Sequence, residues 1–259
     1  MKEQNLDLYT FLERTWCCSL ANPPTDWIKT VDNVGLLEIT SYADWWEKIG
    51  KKTRNLVRKA EKSGIKVSVV EPSDKFAEGI WKIYNETPIR QARAFTHFGE
   101  SLETVTKNMC DEKNNAFIGA YIGDELVGFI QLVYGEQIAI VSNILSMQVH
   151  WDKSVNNALL AKAVEVCASK GQKWLMYGRM GNHPSLDKFK ENNGFVKTKI
   201  SRFYIALSKK GRLAIRLGLH KELRDSLINS ESTLKQPLIS ATNWASRIRI
   251  RIKLWLRKL

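Results

Sequence analysis

AFIGAYIGDELVGFIQLVYGEQIAIVSNILSMQV, residues 116 to 149, is the stretch that decides the fold. Ala116 to Ile122 and Glu125 to Tyr134 are rich in β-branched and aromatic residues, and Gly123-Asp124 between them is a two-residue hairpin signal. Tyr134 to Glu136 turns the chain again into Gln137 to Val149, so three antiparallel strands follow in close order. Downstream, Asp152 or Ser154 caps a helix with Val155, Leu159, Ala163, Val166 and Cys167 on one face, closed by Gly171 after Lys170. Lys173 to Tyr177 then reads as a strand, Ser185 to Asn193 as a short helix, and Phe195 to Leu207 as a last strand.

Upstream the same periodicities predict a strand over Gly35 to Thr40. One amphipathic helix follows from Ser41 through Trp45, Trp46, Ile49, Leu56 and Val57 to Gly64. Ile65 to Val70 alternates and ends at Pro72; Ser73 to Asn85 is helical, with Phe76, Ile80, Ile83 and Tyr84 on one face. Pro88 breaks it, Ile89 to Gly99 is irregular, and Ser101 to Cys110 is a short helix. An antiparallel meander flanked by helices and followed by β-α-β-α-β predicts an α/β domain with a mixed, mostly antiparallel sheet.

Composition agrees. A chain of 259 residues, 44% hydrophobic and 26% charged, is of ordinary globular make-up. Charges interrupt every apolar run well before the ~18 residues a membrane span needs. Met1 to Leu20 has no basic leader before an apolar core, so the expectation is a cytoplasmic protein. Cys17, Cys18, Cys110 and Cys167 fit no metal or disulfide spacing, and no metal is expected. The charge is uneven: through Leu207 there are 27 Lys/Arg against 24 Asp/Glu, and from Ser208 onward 13 against 3. A nearly neutral body carries a cationic tail.

Two stretches carry a resemblance. WEKIGKKTRNLVRKAEKSGIKV, Trp46 to Val67, resembles the basic helix, Lys-x-Arg-x-x-x-Arg-Lys-Ala-Glu-Lys-x-Gly, of the Fem-like branch of the GNAT N-acyltransferase superfamily. From Asn156 to Phe195, NNALL opens a helix, a strand ends at Tyr177-Gly178, and SLDKFKENNGF is similar to that family's Leu-x-x-Phe-Lys-x-x-Phe-Gly ending. The match covers about 170 residues and implies a GNAT-type sheet. It divides the chain into an N-terminal extension (1–30), a strand–helix remnant of a first module (31–63), an acyltransferase domain (64–207), and a helical linker with a basic tail (208–259). Fem enzymes have two modules; this chain has room for one. The phosphate loop of GNAT enzymes, Gln/Arg-x-x-Gly-x-Gly/Ala, is also missing: His150-Trp151-Asp152-Lys153-Ser154 stands there without a glycine. Glycines let backbone N–H groups approach a pyrophosphate, and Asp152 sets a carboxylate in that place. The donor is therefore open between an acyl-CoA co-substrate, a carrier-protein thioester and an aminoacyl-tRNA.

GNAT-type transfer asks little of side chains. An amine attacks a thioester or ester carbonyl, a backbone N–H supports the oxyanion, and an acid or water chain moves protons. By the resemblance that N–H belongs to Ser146, Met147 or Gln148, and the donor passes Met147, Gln148, Lys153, Ser154 and Asn156. Lys190 matches the lysine of the Phe-Lys pair, where a cation binds a donor phosphate or steadies the oxyanion; a solvated lysine is the plainer alternative. Tyr177 is either a general acid at the strand's end or packing. In the polar run after the second helix, Glu86 would hold or deprotonate an amine, and Arg90 and Arg93 would clamp a carboxylate or phosphate, unless the run is only a capped turn. His97 is a further base or an ordinary loop residue. Arg179 and Asn182, in the glycine-containing loop beyond Tyr177, suit substrate contacts, and Arg54 and Arg58 stand one turn apart on the basic helix.

In the tail, Leu213 to Leu223 is helical in pattern and Ser230 to Ser240 reads as a linker. RIRIRIKLWLRKL, residues 247 to 259, is amphipathic as strand or as helix, with six basic residues and no acid from Ser240 onward. An anionic membrane surface is the first partner it suits, nucleic acid such as tRNA the second, and docking on the domain's own sheet edge the third. The resemblance thus implies acyl or aminoacyl transfer to a primary amine on a lipid- or envelope-linked acceptor, peripheral to the inner membrane face. A scaffold that has lost catalysis and binds nucleic acid or membrane is the rival.

Overall fold

The computed structural model describes residues 6–13, 22–90, 93–110, 115–181, 183–219 and 250–252. It divides into two compact units. The larger comprises Asn33–Pro88 and Thr96–Thr198; the smaller is drawn from Met1–Asp32, Ile89–Phe95 and Lys199–Trp255.

The larger unit is built on a mixed, mostly antiparallel sheet. Its elements are the second half of β2 (Ile28–Glu38), helices α1 (Tyr42–Lys48) and α2 (Lys51–Lys62), β3 (Lys66–Val70), α3 (Asp74–Asn85) and α4 (Leu102–Cys110). The meander β6 (Asn115–Ile122), β7 (Glu125–Tyr134) and β8 (Ile138–Ser146) comes next, then α5 (Val155–Ser169), β9 (Trp174–Arg179) and α6 (Pro184–Asn192). The spatial order is β2-β9-β8-β7-β6-β3. The predicted hairpin is in register, with Ile122 opposite Glu125 across Gly123-Asp124. Leu126 to Val133 of β7 is buried without interruption, which requires cover on both faces of the sheet. Helices α3 and α5 both pack on β7.

Four expectations are corrected. The helix expected over 41–63 is two helices, because Ile49 and Gly50 are extended (ψ 145° and 150°); Ile49 is buried and turns the chain into α2. Helix α5 is not one-faced: ten of its residues are buried, among them Asn157, Leu160, Ala161 and Val164, since α2 covers the side turned from the sheet. Strand β8 stops at Ser146 and a 3-10 turn, Gln148–Lys153, takes the rest of the expected strand. Strand β9 runs two residues past Tyr177, carrying Arg179 into the sheet.

The smaller unit holds β1 (Leu8–Leu12), which the sequence reading leaves inside a featureless extension. It pairs antiparallel with β10 (Val196–Ala206), Leu8 opposite Ala206 and Leu12 opposite Arg202. Phe11 stacks on Phe203 at 5.4 Å and meets Trp27 edge-on at 5.6 Å. Arg202 Nε donates to Asp32 at 2.6 Å and Nη1 to Thr10 at 3.2 Å. The segment expected to be irregular contains a two-residue ladder, β4 (Ile89–Arg90) with β5 (Arg93–Ala94). Helix α7 (Lys209–Arg216) is capped by Ser208, which also donates to Asp7 at 2.5 Å. From the tail, β11 (Ile250–Ile252) pairs parallel with β1. The linker at 230–240 and the rest of the tail lie outside the described residues. No helix among the described residues is long and apolar enough to cross a membrane.

Candidate functional site

One pair of neighbouring strands in the larger unit runs parallel, β8 with β9, joined through α5. Their ladder holds Ile138–Ile140 against Trp174–Met176 and no further. Beyond it β8 continues against β7 and β9 against β2, so the two strands part toward their carboxyl ends. Each carries an irregularity there. On β8 the register slips between Gln131 and Leu132 of β7, leaving Ser142 as the extra residue; on β9 it slips between Val34 and Leu36 of β2, at Tyr177-Gly178, with Gly178 at φ +50°. A parting between parallel strands, widened by bulges, is where α/β sheets receive ligands.

On the β9 side stands Lys190. It is 2% exposed, its Nζ donates to the Arg179 carbonyl at 2.6 Å, and the same atom lies 4.5 Å from the Tyr177 ring centroid. Burial pulls its pKa down to about 8, with the Asp187 carboxylate opposing the shift. Burial pushes the Tyr177 phenol above its usual range, so this ring stays neutral. Helix α6 is set by α1 and α2: Trp45 Nε1 donates to the Asn193 carbonyl and Thr53 Oγ1 to that of Asn192, both at 2.9 Å. Gly35 of β2 leaves room for Met180 and the Tyr177 carbonyl, which would lie 3.1 and 3.3 Å from a Cβ there, while Lys190 Cδ would be in ordinary contact at 3.5 Å.

On the β8 side two of the three expected amide donors, those of Met147 and Gln148, are already engaged. Met147 N–H donates to the Val127 carbonyl at 2.9 Å. Gln148 N–H and Val149 N–H both donate to the Glu86 carboxylate, at 2.8 and 3.2 Å. Ser154 begins α5 at φ +59°, the left-handed region, with no side-chain cap bond. Lys153 Nζ lies 3.1 Å from His150 Nδ1, and Asn156 Oδ1 is buried without a partner. Arg54 Nη1 donates to the carbonyls of Trp46, Glu47 and Ile49, closing the end of α1, and Arg58 lies over Trp46 at 5.4 Å. In the smaller unit Arg90 is buried with its guanidinium 4.9 Å from the Phe95 ring centroid. Asn182 and the side chain of Arg93 lie outside the described residues.

Sequence reasoning missed a cavity of about 330 Å³ between α3, α4 and the sheet. Ile80, Met109, Phe117 and Phe129 make its apolar part, and Gln131, Ser142 and Asn143 its polar wall. Consecutive residues of a regular strand face opposite sides; Ser142 and Asn143 line the same cavity because Ser142 is the extra residue of the bulge. His97 lines it too, its Nδ1 2.8 Å from Glu100 Oε1 and its ring stacked 4.4 Å from that of Tyr84. The signal in the sequence is His97-Phe-Gly-Glu100, a turn whose glycine takes φ +86°. No group of three His, Cys, Asp or Glu among the described residues could hold a metal.

No protein-family model matches the chain, and no curated protein matches it in sequence. Solved structures do. FemX superposes with a TM-score of 0.56 at 11% identity, over 75% of this chain and 65% of its own. The chain has a GNAT-type, Fem-like fold. L-PGS from Bacillus licheniformis gives 0.50 at 15% identity, over 74% of this chain and 67% of its own. The C-terminal domain (DUF2156) of a putative lysylphosphatidylglycerol synthetase from Agrobacterium fabrum gives 0.51 at 11%, over 74% and 65%. The chain spans just under two thirds of FemX and of the Agrobacterium domain. At such identities the likeness is one of fold.

Proposed function

We propose that the protein is an N-acyltransferase that moves an acyl or aminoacyl group from a thioester or ester donor to a primary amine. The observation that carries this reading is the opening between β8 and β9 with a buried cation, Lys190, at its β9 side, which has no carboxylate within ion-pair distance among the described residues. An amine attacking a carbonyl there turns the carbonyl oxygen negative. The Lys190 ammonium, exchanging its bond to the Arg179 carbonyl for that oxygen, neutralises the charge in a site of low dielectric, where such a contact is strongest.

Glu86 bears on the donor. Its carboxylate occupies the Gln148 and Val149 amides, in the loop where a GNAT enzyme would receive a pyrophosphate. A donor that places no pyrophosphate there suits the site better than acyl-CoA: an aminoacyl ester of tRNA, or a carrier-protein thioester. The cationic tail would bring the enzyme to an anionic surface bearing the acceptor.

The test is a transfer assay with acetyl-CoA, a long-chain acyl-CoA and aminoacyl-tRNA against a panel of amines. The expected result is transfer from at least one donor, with Lys190→Ala lowering kcat about 10²–10³-fold, the effect of deleting one oxyanion donor. No transfer and no donor binding would overturn the reading in favour of a catalytically inactive binding scaffold. Tight one-to-one binding of acetyl-CoA would overturn the donor preference and leave transfer standing.

A further inference from the structure

We propose that α7 is a membrane-docking helix. Its outward face lays Leu213 and Leu217 into the interface of an anionic bilayer, while the lysines and arginines beside them meet the headgroup phosphates. Docking rests on the proposed function only for the anionic surface; it is read by binding and does not depend on transfer.

The helix is inverted. A helix on a globular protein turns its large apolar residues inward. The buried residues of α7 are Gly211 and Ala214, whereas Leu213 and Leu217 are 43% and 58% exposed. The seat of the helix explains the inversion. Leu207 N–H donates to the Asp7 carbonyl at 3.0 Å, and the Ser208 hydroxyl donates to the Asp7 carboxylate and accepts from Gly211 N–H at 3.1 Å. A Cβ on Gly211 would stand 1.8 Å from the Asp7 carbonyl oxygen. Helix backbone meets strand-end backbone there, and a roll that carried the leucines inward would drive a side chain into that oxygen. The leucines are held outside.

Their neighbours say what covers them. At 3.6 residues per turn Leu213 and Leu217 stand about 40° apart. Lys209, Arg212 and Arg216 border them on one side and Lys210 on the other. All four cations are exposed and make no ion pair among the described residues, and Ser208 to Leu219 contains no acid. The core of a protein–protein interface is depleted in charge and in lysine, and four cations around two leucines do not make one. A nucleic-acid face gains from polar donors and from aromatic rings that stack on bases, and the outward positions of α7 have neither. An apolar strip rimmed by cations is complementary to a bilayer: the leucines enter the acyl boundary and the long basic stems reach back to the phosphates. The tail joins the same place. Helix α7 sits on Asp7, and β11 sets Ile250 opposite Leu8, so the most basic stretch of the chain returns to the end of β1 that carries α7.

The experiment measures binding of the full chain to vesicles of phosphatidylcholine alone and of phosphatidylcholine mixed with phosphatidylglycerol, beside binding to tRNA. The wild type should bind the mixed vesicles and not the neutral ones. Leu213→Ala with Leu217→Ala should lower that affinity about 10–30-fold, from covering the exposed half of each leucine, and should do so at high salt as well. Arg212→Gln with Arg216→Gln should lower it about 25-fold at low salt, about fivefold for each cation, and much less at high salt. Both pairs are exposed, so the denaturation midpoint should stay that of the wild type. A leucine variant that binds mixed vesicles within twofold of the wild type overturns the proposal, because the tail alone then suffices. A wild type that binds tRNA and no vesicle overturns it in favour of nucleic acid, and one that binds neither leaves α7 without this role. If the leucine variant does not fold, the arginine pair decides, and low-salt binding within twofold of the wild type overturns the proposal. Transfer to a water-soluble amine is read separately: its absence with lipid binding intact removes the proposed function and leaves the docking helix.

Discussion

Two buried cations divide the molecule by purpose. Arg202, 7% exposed in the smaller unit, has a carboxylate at 2.6 Å and a hydroxyl at 3.2 Å. Lys190, 2% exposed in the larger unit, has a carbonyl and the face of a tyrosine, and no carboxylate among the described residues within ion-pair distance. Desolvating a charge is costly, and a matched partner returns much of that cost. The arginine's environment completes it and its work is structural. The lysine's environment leaves it incomplete, and sites that must act on something else are where such groups persist.

The largest expected effect tests the completed pair. Asp32→Ala strands the Arg202 guanidinium and should destabilise the protein by about 3–5 kcal/mol, read as a drop in the denaturation midpoint. Lys190→Met strands no charge, only the Arg179 carbonyl that accepted from the ammonium. It replaces an unpaired ammonium with an apolar chain of similar length and should leave stability unchanged or raised. If both substitutions destabilised alike, the lysine would be as structural as the arginine and the division would fail.

The next effect is a pH dependence that only the lysine should show. Its folded pKa is about 8, below the ordinary 10.5. Between those values the unfolded chain binds a proton that the folded chain does not, so the folded state gains relative stability as pH rises through that window. Below about 8 both states are protonated and the burial penalty stands in full. A shift of this size corresponds to on the order of 3 kcal/mol. Lys190→Met should therefore be ahead of the wild type at pH 7, and its lead should shrink toward pH 10. Transfer should follow the opposite sign, falling as the ammonium is lost above about 8. A lead independent of pH would remove the charge from the account.

How much of this was legible in the sequence follows from the range of each interaction. The meander declares itself because alternation and the Gly123-Asp124 turn act over a few residues. The second face of α5 was not legible, because its cover comes from α2, about a hundred residues earlier. The break at Ile49-Gly50 was written as a glycine but outvoted by the helical spacing on either side. Lys190 was found through a motif and not through its surroundings. Glu86 is legible only as a carboxylate in a polar run, because its contact to the Gln148 and Val149 amides spans more than sixty residues. Strand β1 was missed because its partner β10 lies at the far end of the sequence.

The smallest expected effect extends the comparison from charge to backbone. Ser154 is the one residue other than glycine with positive φ among the described residues, and it stands where GNAT loops carry glycines. A left-handed residue with a Cβ costs about 1–2 kcal/mol, and this serine offsets none of it with a cap bond. Ser154→Gly removes the clash but gives the unfolded chain more freedom, so the net gain should be about 0.5–1 kcal/mol, measured by thermal or chemical denaturation. Such a gain would mean that the loop beside the β8–β9 opening carries a removable strain, as the opening itself carries an unpaired charge, while the smaller unit's buried pair carries neither. A loss of stability would mean that the serine side chain holds the loop by a contact worth more than the strain. The strained turn would then belong with Arg202 among the parts of the molecule that are already complete.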